Sequence, residues 1–532
     1  MRLLDHPGRS TVMARHGMAA TSHVIATQTA IDVLKDGGNA MDAAIAACAV
    51  QGVVEPGSTG IGGDCFALYS AGGSNNILAF NGSGWAPAAA TPAALRARGV
   101  TQIERQSAHA VTVPGAVDAW DQLLRRCGTR PLSVLLEPAI RYAEEGFALM
   151  QRSHADWANQ EALLRGEANA ARIYLVDGAA PAMGSVYRFP EMAQSLRQVA
   201  AEGRDAFYRG SLAQDMVAYL QSRGGLHSLD DFAQYQGKFE TPIRSRFRDV
   251  EVVECPPNGQ GVIALLILNI LARFDVDPDP LSPARQQLEV DATRLAYGVR
   301  NALLADGAHA RVDVDWLLSD ALADELAARI RAGDVAQDGG YVPPAAHKDT
   351  VYLTVVDKDR NCVSLINSIF TNFGSGQVAP GGILLHNRGM GFELIEGHPN
   401  AIGPHKRPLH TIIPAMVVKD GRCVLPFGVM GGQYQAMGHA HLVSKWVDYG
   451  MELQHIIDLP RLFPLPGAAT PAQVEVEARM PAAVRAQLQA AGYHCVTPKL
   501  PLGGAQAIWI DWERGVLHGA SDPRKDGCAL GY

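Results

Sequence analysis

Thr350 stands at a junction where a hydroxyl could be made into a nucleophile. Before it, residues 333–349 (GDVAQDGGYVPPAAHKD) are polar and rich in Gly, Pro and Ala, the composition of an exposed loop. After it, TVYLTVV (350–356) alternates as a strand does. A threonine hydroxyl is a weak nucleophile unless a base sits beside it. One solution makes the threonine the first residue of a chain, so that its own α-amine is that base. This needs a cut between Asp349 and Thr350, and a loose loop running into a rigid strand suits such a cut. A threonine opening a strand is also commonplace, so from these residues alone both readings stand.

Other chemistries are poorly supported. The glycine cluster GSTGIGGD (57–64) superficially resembles a dinucleotide fingerprint, which needs a strand before it and a helix after it. Here the order is reversed, and a tight turn with close backbone approach is expected instead. GxxxxGK[ST] is absent. The 17 histidines include no HExxH, and none sits at a metal spacing with a carboxylate, so no metal site is expected. The eight cysteines are scattered without a CxxC pair, which removes zinc ribbons and thioredoxin-like motifs. They read as reduced, mostly buried thiols.

The elements that must position Thr350 come from a chain of 532 residues, 47% hydrophobic and 19% charged, an ordinary globular balance. A net charge of −8 without a long basic block makes nucleic acid and anionic membranes poor partners. The start, MRLLDHPGRSTVMARHGM, lacks the apolar run of roughly 7–15 residues that a signal peptide carries. The longest apolar stretch, 43–54, is interrupted by Gln51 and is too short to span a bilayer. A soluble, cytoplasmic protein is expected.

Apolar spacing predicts helices over 22–37, ended by Gly37-Gly38-Asn39, and over the alanine-rich 40–54. Further helices are expected over 116–127, 132–146, 191–203, 211–225 and 258–274. CFALYS (65–70) reads as a strand. TVYLTVV and CVSLINSIF (362–370), joined by DKDRN, read as a hairpin. Strands follow over 381–385, 411–418, 423–429 and 505–511, with helices from 433 to 447 and 482 to 491. A helix-rich front thus precedes a strand-rich final third, split at 349/350.

Eight blocks change the weight given to Thr350. GMAATSHVIATQTAIDVLKDGGNAMDAAIAACAV, VEPGSTGIGGD, DTVYLTVVDKDRNCVSL, FGSG, GILLHN, GPHKRPLHTIIPAMVVKDG, MGGQ and GASDPRKDGCALGY resemble, in order, blocks of the γ-glutamyltransferase family, from about residue 17 to Tyr532. The resemblance implies an N-terminal-nucleophile hydrolase fold: an α+β, four-layer αββα sandwich made as one precursor that cuts itself. By position the exposed nucleophile is Thr350, giving a large chain, 1–349, and a small chain, 350–532, that build one core. Such chains pair as a heterodimer, and a dimer of heterodimers is open. No cofactor is implied.

The family's functional positions divide when carried over one at a time. Ser368 stands where a second threonine contacts the nucleophile, and it keeps the hydroxyl. Gly431 and Gly432 match the glycine pair whose amides form the oxyanion hole, where a substrate carbonyl must reach bare backbone. The glutamyl-recognition positions differ. The carboxylate-binding arginine segment reads Ser83-Gly84-Trp85-Ala86-Pro87, without arginine. Two positions that hold the α-ammonium are Phe370 and Gly391. The serine pair after KRPL is His410-Thr411, and Arg388 replaces a glutamine. A site cannot select an ammonium without a buried acceptor to pair with it.

This pattern resembles the oxamate amidohydrolase branch of the family, in HNRG and in the KDGCALGY ending. Oxamate is a small amide with one carboxylate and no ammonium, and arginine clamps a carboxylate bidentately. Arg388, His410 and Thr411 are therefore candidate substrate contacts, with a structural ion pair as the other role for Arg388. A γ-glutamyl hydrolase or transferase, an acylase on another amide, and an uncut binding protein are the rival readings.

Overall fold

The computed structural model describes residues 8–333, 335, 350–465 and 472–532. Asp349 and residues 336–348 of the expected loop lie outside the described residues.

Two seven-stranded antiparallel sheets stack face to face between two helical layers. One sheet runs in the order Cys528–Gly531, Met18–Thr21, Val351–Val356, Cys362–Ser368, Asp64–Ser70, Ile77–Gly82, Lys238–Glu240. The other runs Val12–Ala14, Val516–Ser521, Gly504–Asp511, Arg422–Met430, Ala415–Lys419, Val250–Glu254, Ile243–Phe247. Side chains alternate accordingly. Tyr352 and Val356 enter the core between the sheets, whereas Leu353 and Val355 pack under helices. On the facing sheet Met416 and Val418 turn inward, and Ala415 and Val417 turn to the other helical layer. This is the expected αββα sandwich.

The helix Ala40–Val54 shows why its sequence is so rich in alanine. All fifteen of its residues are buried, wedged between a sheet and neighbouring helices, where larger side chains would overpack. Asn39 caps it by accepting from the Met41 and Asp42 amides, and Asp42 returns a bond to the Asn39 amide. A cap of this kind is worth about 1 kcal/mol. The helix ends at the glycine cluster, where the sequence predicted close backbone approach. A Cβ on Gly62 would lie 2.2 Å from the Leu384 carbonyl oxygen, and one on Gly63 would lie 2.5 Å from that of Ser368. The turn thereby seats Asp64–Ser70 beside Cys362–Ser368, with Asp64 opposite Ser368.

Several expectations need correction. Seven of the fourteen strands in the two main sheets precede residue 350, although only Asp64–Ser70 among them was read from the sequence. Val12–Ala14, Met18–Thr21 and Lys238–Glu240 are only three or four residues long, and Ile243–Phe247 (IRSRF) is charged at a sheet edge. The helix Pro283–Leu303 was also missed, despite its Ser282 cap and its proline in the first turn. Of 381–385 only Ile383–Leu384 is strand, because Pro380–Gly382 form a turn with Gly381 and Gly382 at positive φ. The expected strand at 411 begins at Ala415, and the helix expected from 433 begins at Gln435 after the turn Gly432–Tyr434. Strands from either side of residue 350 interleave in both sheets, so neither segment has a core of its own.

Candidate active site

The site lies at one edge of the sandwich, where several strands end together. Thr350 immediately precedes Val351–Val356, and Ser368 closes the neighbouring strand. Both are buried, and their hydroxyl oxygens are 3.2 Å apart. The Phe370 amide donates to Ser368 Oγ at 2.9 Å. That bond leaves the Ser368 proton free to point at Thr350 Oγ1, where it would stabilise negative charge on the nucleophile.

The facing sheet brings up the glycine pair. Gly428 packs against the Tyr352 ring, so Gly431 and Gly432, three and four residues on, leave their sheet at the edge where Thr350 leaves its own. Gly431 has φ 130° and Gly432 φ 56°, a reversal that favours glycine. Among the described residues neither amide N–H makes a backbone hydrogen bond. Two buried donors held without partners are what an oxyanion site requires.

Opposite Ser368 lies Asp64, the centre of a charged cluster that includes His410 and that the sequence did not connect to it. Asp64 Oδ1 accepts from the Gly84 and Gly115 amides at 3.0 and 3.1 Å. Its Oδ2 accepts from His410 Nε2 at 2.9 Å and lies 3.5 Å from His386 Nδ1. Burial alone would raise the Asp64 pKa, but the two imidazoles facing it hold it well below the usual carboxylate range. Burial, with the Arg388 charge behind it, pushes His410 down to about 3. The carboxylate is thus ionised and the imidazole neutral. His410 Nδ1 accepts from the Ile412 amide, which leaves no ring nitrogen for a ligand. Its placement is that of a brace for Asp64. No group of three or more His, Cys, Asp or Glu side chains among the described residues is arranged so that it could hold a metal ion.

Arg388 is fully buried beside this cluster. Its Nη1 donates to Thr411 Oγ1 at 3.0 Å, and its guanidinium lies 4.1 Å over the Phe370 ring. Among the described residues Nε and Nη2 have no hydrogen-bond partner, and the nearest carboxylate oxygen, Asp64 Oδ2, is 4.0 Å from Nε. Burial pushes its pKa down to about 9, opposed only by the charge of Asp64. A buried cation with two idle donors is costly, and a planar anion would satisfy both at once. Phe370 itself holds φ 77°, a left-handed conformation that costs a bulky residue about 1–3 kcal/mol. Phe370, Thr411 and Gln433 line a cavity of about 30 Å³, together with Arg300, Glu393, His398 and Asn400.

Residues 26–532 match the family described as gamma-glutamyltranspeptidase. The chain belongs to that family. It is 36% identical over 527 residues to the glutathione hydrolase-like YwrD proenzyme of Bacillus subtilis, covering 98% of this chain and 99% of that one. It is 34% identical to the oxamate amidohydrolase proenzyme of Klebsiella pneumoniae, covering 98% of this chain and all of the relative. The crystal structure of a cephalosporin acylase from Bacillus halodurans superposes with a TM-score of 0.90 at 36% identity, over 100% of this chain and 99% of that one. With the family come the fold and the enzyme class: an N-terminal-nucleophile hydrolase that acts on amide bonds. The three relatives are named for different activities at similar identity, so the choice between substrates must come from the site. No described helix is long and apolar enough to cross a membrane.

Proposed function

We propose that the chain cuts itself between Asp349 and Thr350 and then hydrolyses a small anionic amide, oxamate to oxalate and ammonia. The two pieces, 1–349 and 350–532, would stay together as a heterodimer. The observation that carries the substrate class is Arg388, buried with Nε and Nη2 unpartnered beside the reacting hydroxyls. Phe370 and Thr411, the two neighbours of its guanidinium, line the cavity described above.

In this reading the freed α-amine of Thr350 takes the proton of its own hydroxyl, and Oγ1 attacks the amide carbon. Negative charge moves to the carbonyl oxygen, received by the Gly431 and Gly432 amides. Ser368 holds Oγ1 in line. The tetrahedral adduct collapses, the C–N bond breaks, and the amine returns its proton to the departing ammonia. Water, deprotonated by the same amine, then cleaves the acyl-enzyme ester and releases the dicarboxylate. Arg388 clamps the carboxylate that takes no part in the reaction, and Asp64 fixes the wall behind it.

One observation favours a second reading. Glu393 lines the same cavity and could accept an ammonium, as a γ-glutamyl substrate would require. Burial, however, pushes its pKa up to about 7. It is protonated much of the time near neutrality, which suits an anionic substrate better. Purified enzyme offered oxamate beside γ-glutamyl-p-nitroanilide, with ammonia and nitroaniline followed separately, decides between them. Absence of oxamate turnover removes the narrower proposal.

Two outcomes are expected at Arg388. A charge-assisted hydrogen bond is worth about 1.5–3 kcal/mol, or about 10- to 150-fold. Arg388→Met should lose that much kcat/KM on oxamate and little on a neutral small amide, with Arg388→Lys between. Equal losses on both substrates would make Arg388 structural. Oxalate should also raise the thermal midpoint of the wild type, because a ligand that binds only the native state stabilises it. That rise should vanish in Arg388→Met.

A further inference from the structure

A second buried arginine, Arg300, has no part in the mechanism above. It sits in the helix Pro283–Leu303, one turn beyond Tyr297, and both side chains reach the turn that carries the glycine pair. Tyr297 Oη donates to the Gln433 carbonyl. Arg300 Nη1 donates to Gln433 Oε1 at 2.5 Å and to Gln260 Oε1 at 2.7 Å. Gln260 Nε2 in turn donates to the Thr411 carbonyl at 2.8 Å and to the Gly432 carbonyl at 3.3 Å. A helix of the proposed large chain thus holds the glycine turn of the small chain at Gln433 directly and at the Gly432 carbonyl through Gln260.

The grip alone does not account for an arginine. Its remaining bond, from Nε, goes to Asn301 Oδ1 at 3.0 Å, and its guanidinium lies 4.1 Å from the Tyr297 ring. Every hydrogen-bond acceptor is neutral, and Arg300 makes no ion pair among the described residues. It is only 1% exposed. Burial pushes its pKa down to about 10, with Tyr297 the opposing influence. A neutral donor could hold two glutamine oxygens without the desolvation cost of a buried cation. The unexplained quantity is the positive charge, one glutamine away from the turn whose two amides would face a developing oxyanion.

We infer that Arg300 is a positioning residue of the oxyanion hole, which fixes the Gly431–Gln433 turn through Gln260 and Gln433 and supplies the positive field that stabilises the tetrahedral intermediate. The inference rests on the threonine amidohydrolase reading. It also explains why the site holds two undercompensated arginines. The transition state of an anionic amide carries two negative charges, one on the spectator carboxylate at Arg388 and one on the former carbonyl oxygen at the turn that Arg300 holds.

The test uses the self-cleaved, two-chain enzyme and reads kcat and KM separately, on oxamate and on a neutral small amide. Loss of one direct oxyanion donor costs about 10²–10³ in kcat. A charge acting through the two glutamines should cost less, about 10- to 100-fold. Arg300→Met should lose this in kcat on both amides with KM little changed, and Arg300→Lys should recover part of it. Gln433→Glu separates field from scaffold, because it keeps the contact with Nη1 but cancels the charge. On the neutral amide it should lower kcat about as much as Arg300→Met, and it decides the matter if the methionine variant fails to fold. Full kcat in folded Gln433→Glu would overturn the field. A rise in KM confined to oxamate in Arg300→Met would overturn the inference by making Arg300 a ligand for substrate. Wild-type enzyme that neither cuts itself nor hydrolyses any amide would instead defeat the underlying reading.

Discussion

Thr350→Ala is expected to remain one chain of 532 residues, whereas the wild type separates in denaturant into two pieces, the smaller beginning Thr-Val-Tyr-Leu. The cut requires Oγ1 to attack the carbonyl carbon of residue 349. The peptide nitrogen is then displaced, and the resulting ester is hydrolysed by water. Alanine has no atom to form that ester. The substitution removes a hydroxyl that meets Ser368 Oγ at 3.2 Å, and losing such a bond costs about 1 kcal/mol, too little to unfold the chain. The alanine variant should therefore be folded, uncut and inactive, while Thr350→Ser should still cut. Under native conditions the wild-type pieces should co-elute near 56.8 kDa or a multiple of it. Strands from both segments pair within each sheet, and separating them would expose open edges and the core between the sheets. N-terminal sequencing and mass measurement of the small piece check the claim. A different first residue would remove Thr350 as nucleophile.

The parts of this site that were legible in the sequence are those carried by local pattern. The helices Ala40–Val54 and Ala116–Cys127 fall where their apolar spacing put them. The hairpin of Val351–Val356 and Cys362–Ser368 follows from alternation around a turn. Both hydroxyls of the site ride on that hairpin. Asp64 was read only as the end of a glycine run. Its meaning depends on His410, 346 residues away, and no periodicity connects such a pair. The same holds for Arg300, whose grip on the glycine turn passes through Gln433, 133 residues on. Its helix was missed because its burial is mixed with charge: Arg285, Glu289, Asp291 and Arg300 are all buried there. An apolar stripe cannot reveal a helix that buries its charged residues. Arg388 is an intermediate case. Its chemical type is plain in the sequence, but its two idle donors and its 4.0 Å separation from Asp64 appear only once its neighbours are placed.

Gly432→Ala should produce the other large effect, a fall in kcat of about 10²–10³ with the fold and the self-cut intact. Gly432 is the better probe of the pair. At Gly431, a φ of 130° and a Cβ only 2.8 Å from Gly503 Cα would force the backbone itself to move. Gly432 has φ 56°, a left-handed conformation that alanine can occupy at about 1–2 kcal/mol. The native protein should absorb that cost. Catalysis should not, because the new methyl group would stand beside an amide that must meet the substrate oxygen at hydrogen-bond distance. A shift of a few tenths of an ångström weakens a bond that matters only in the transition state. The loss should therefore appear in kcat and kcat/KM together, with KM little altered. It should be the same for oxamate and for a neutral amide, which separates it from Arg388→Met. A Gly432→Ala enzyme that is folded, cut and nearly as active as the wild type would show that the glycine pair is only a turn. The oxyanion would then have to be received elsewhere, and the positive field assigned to Arg300 would lose its purpose.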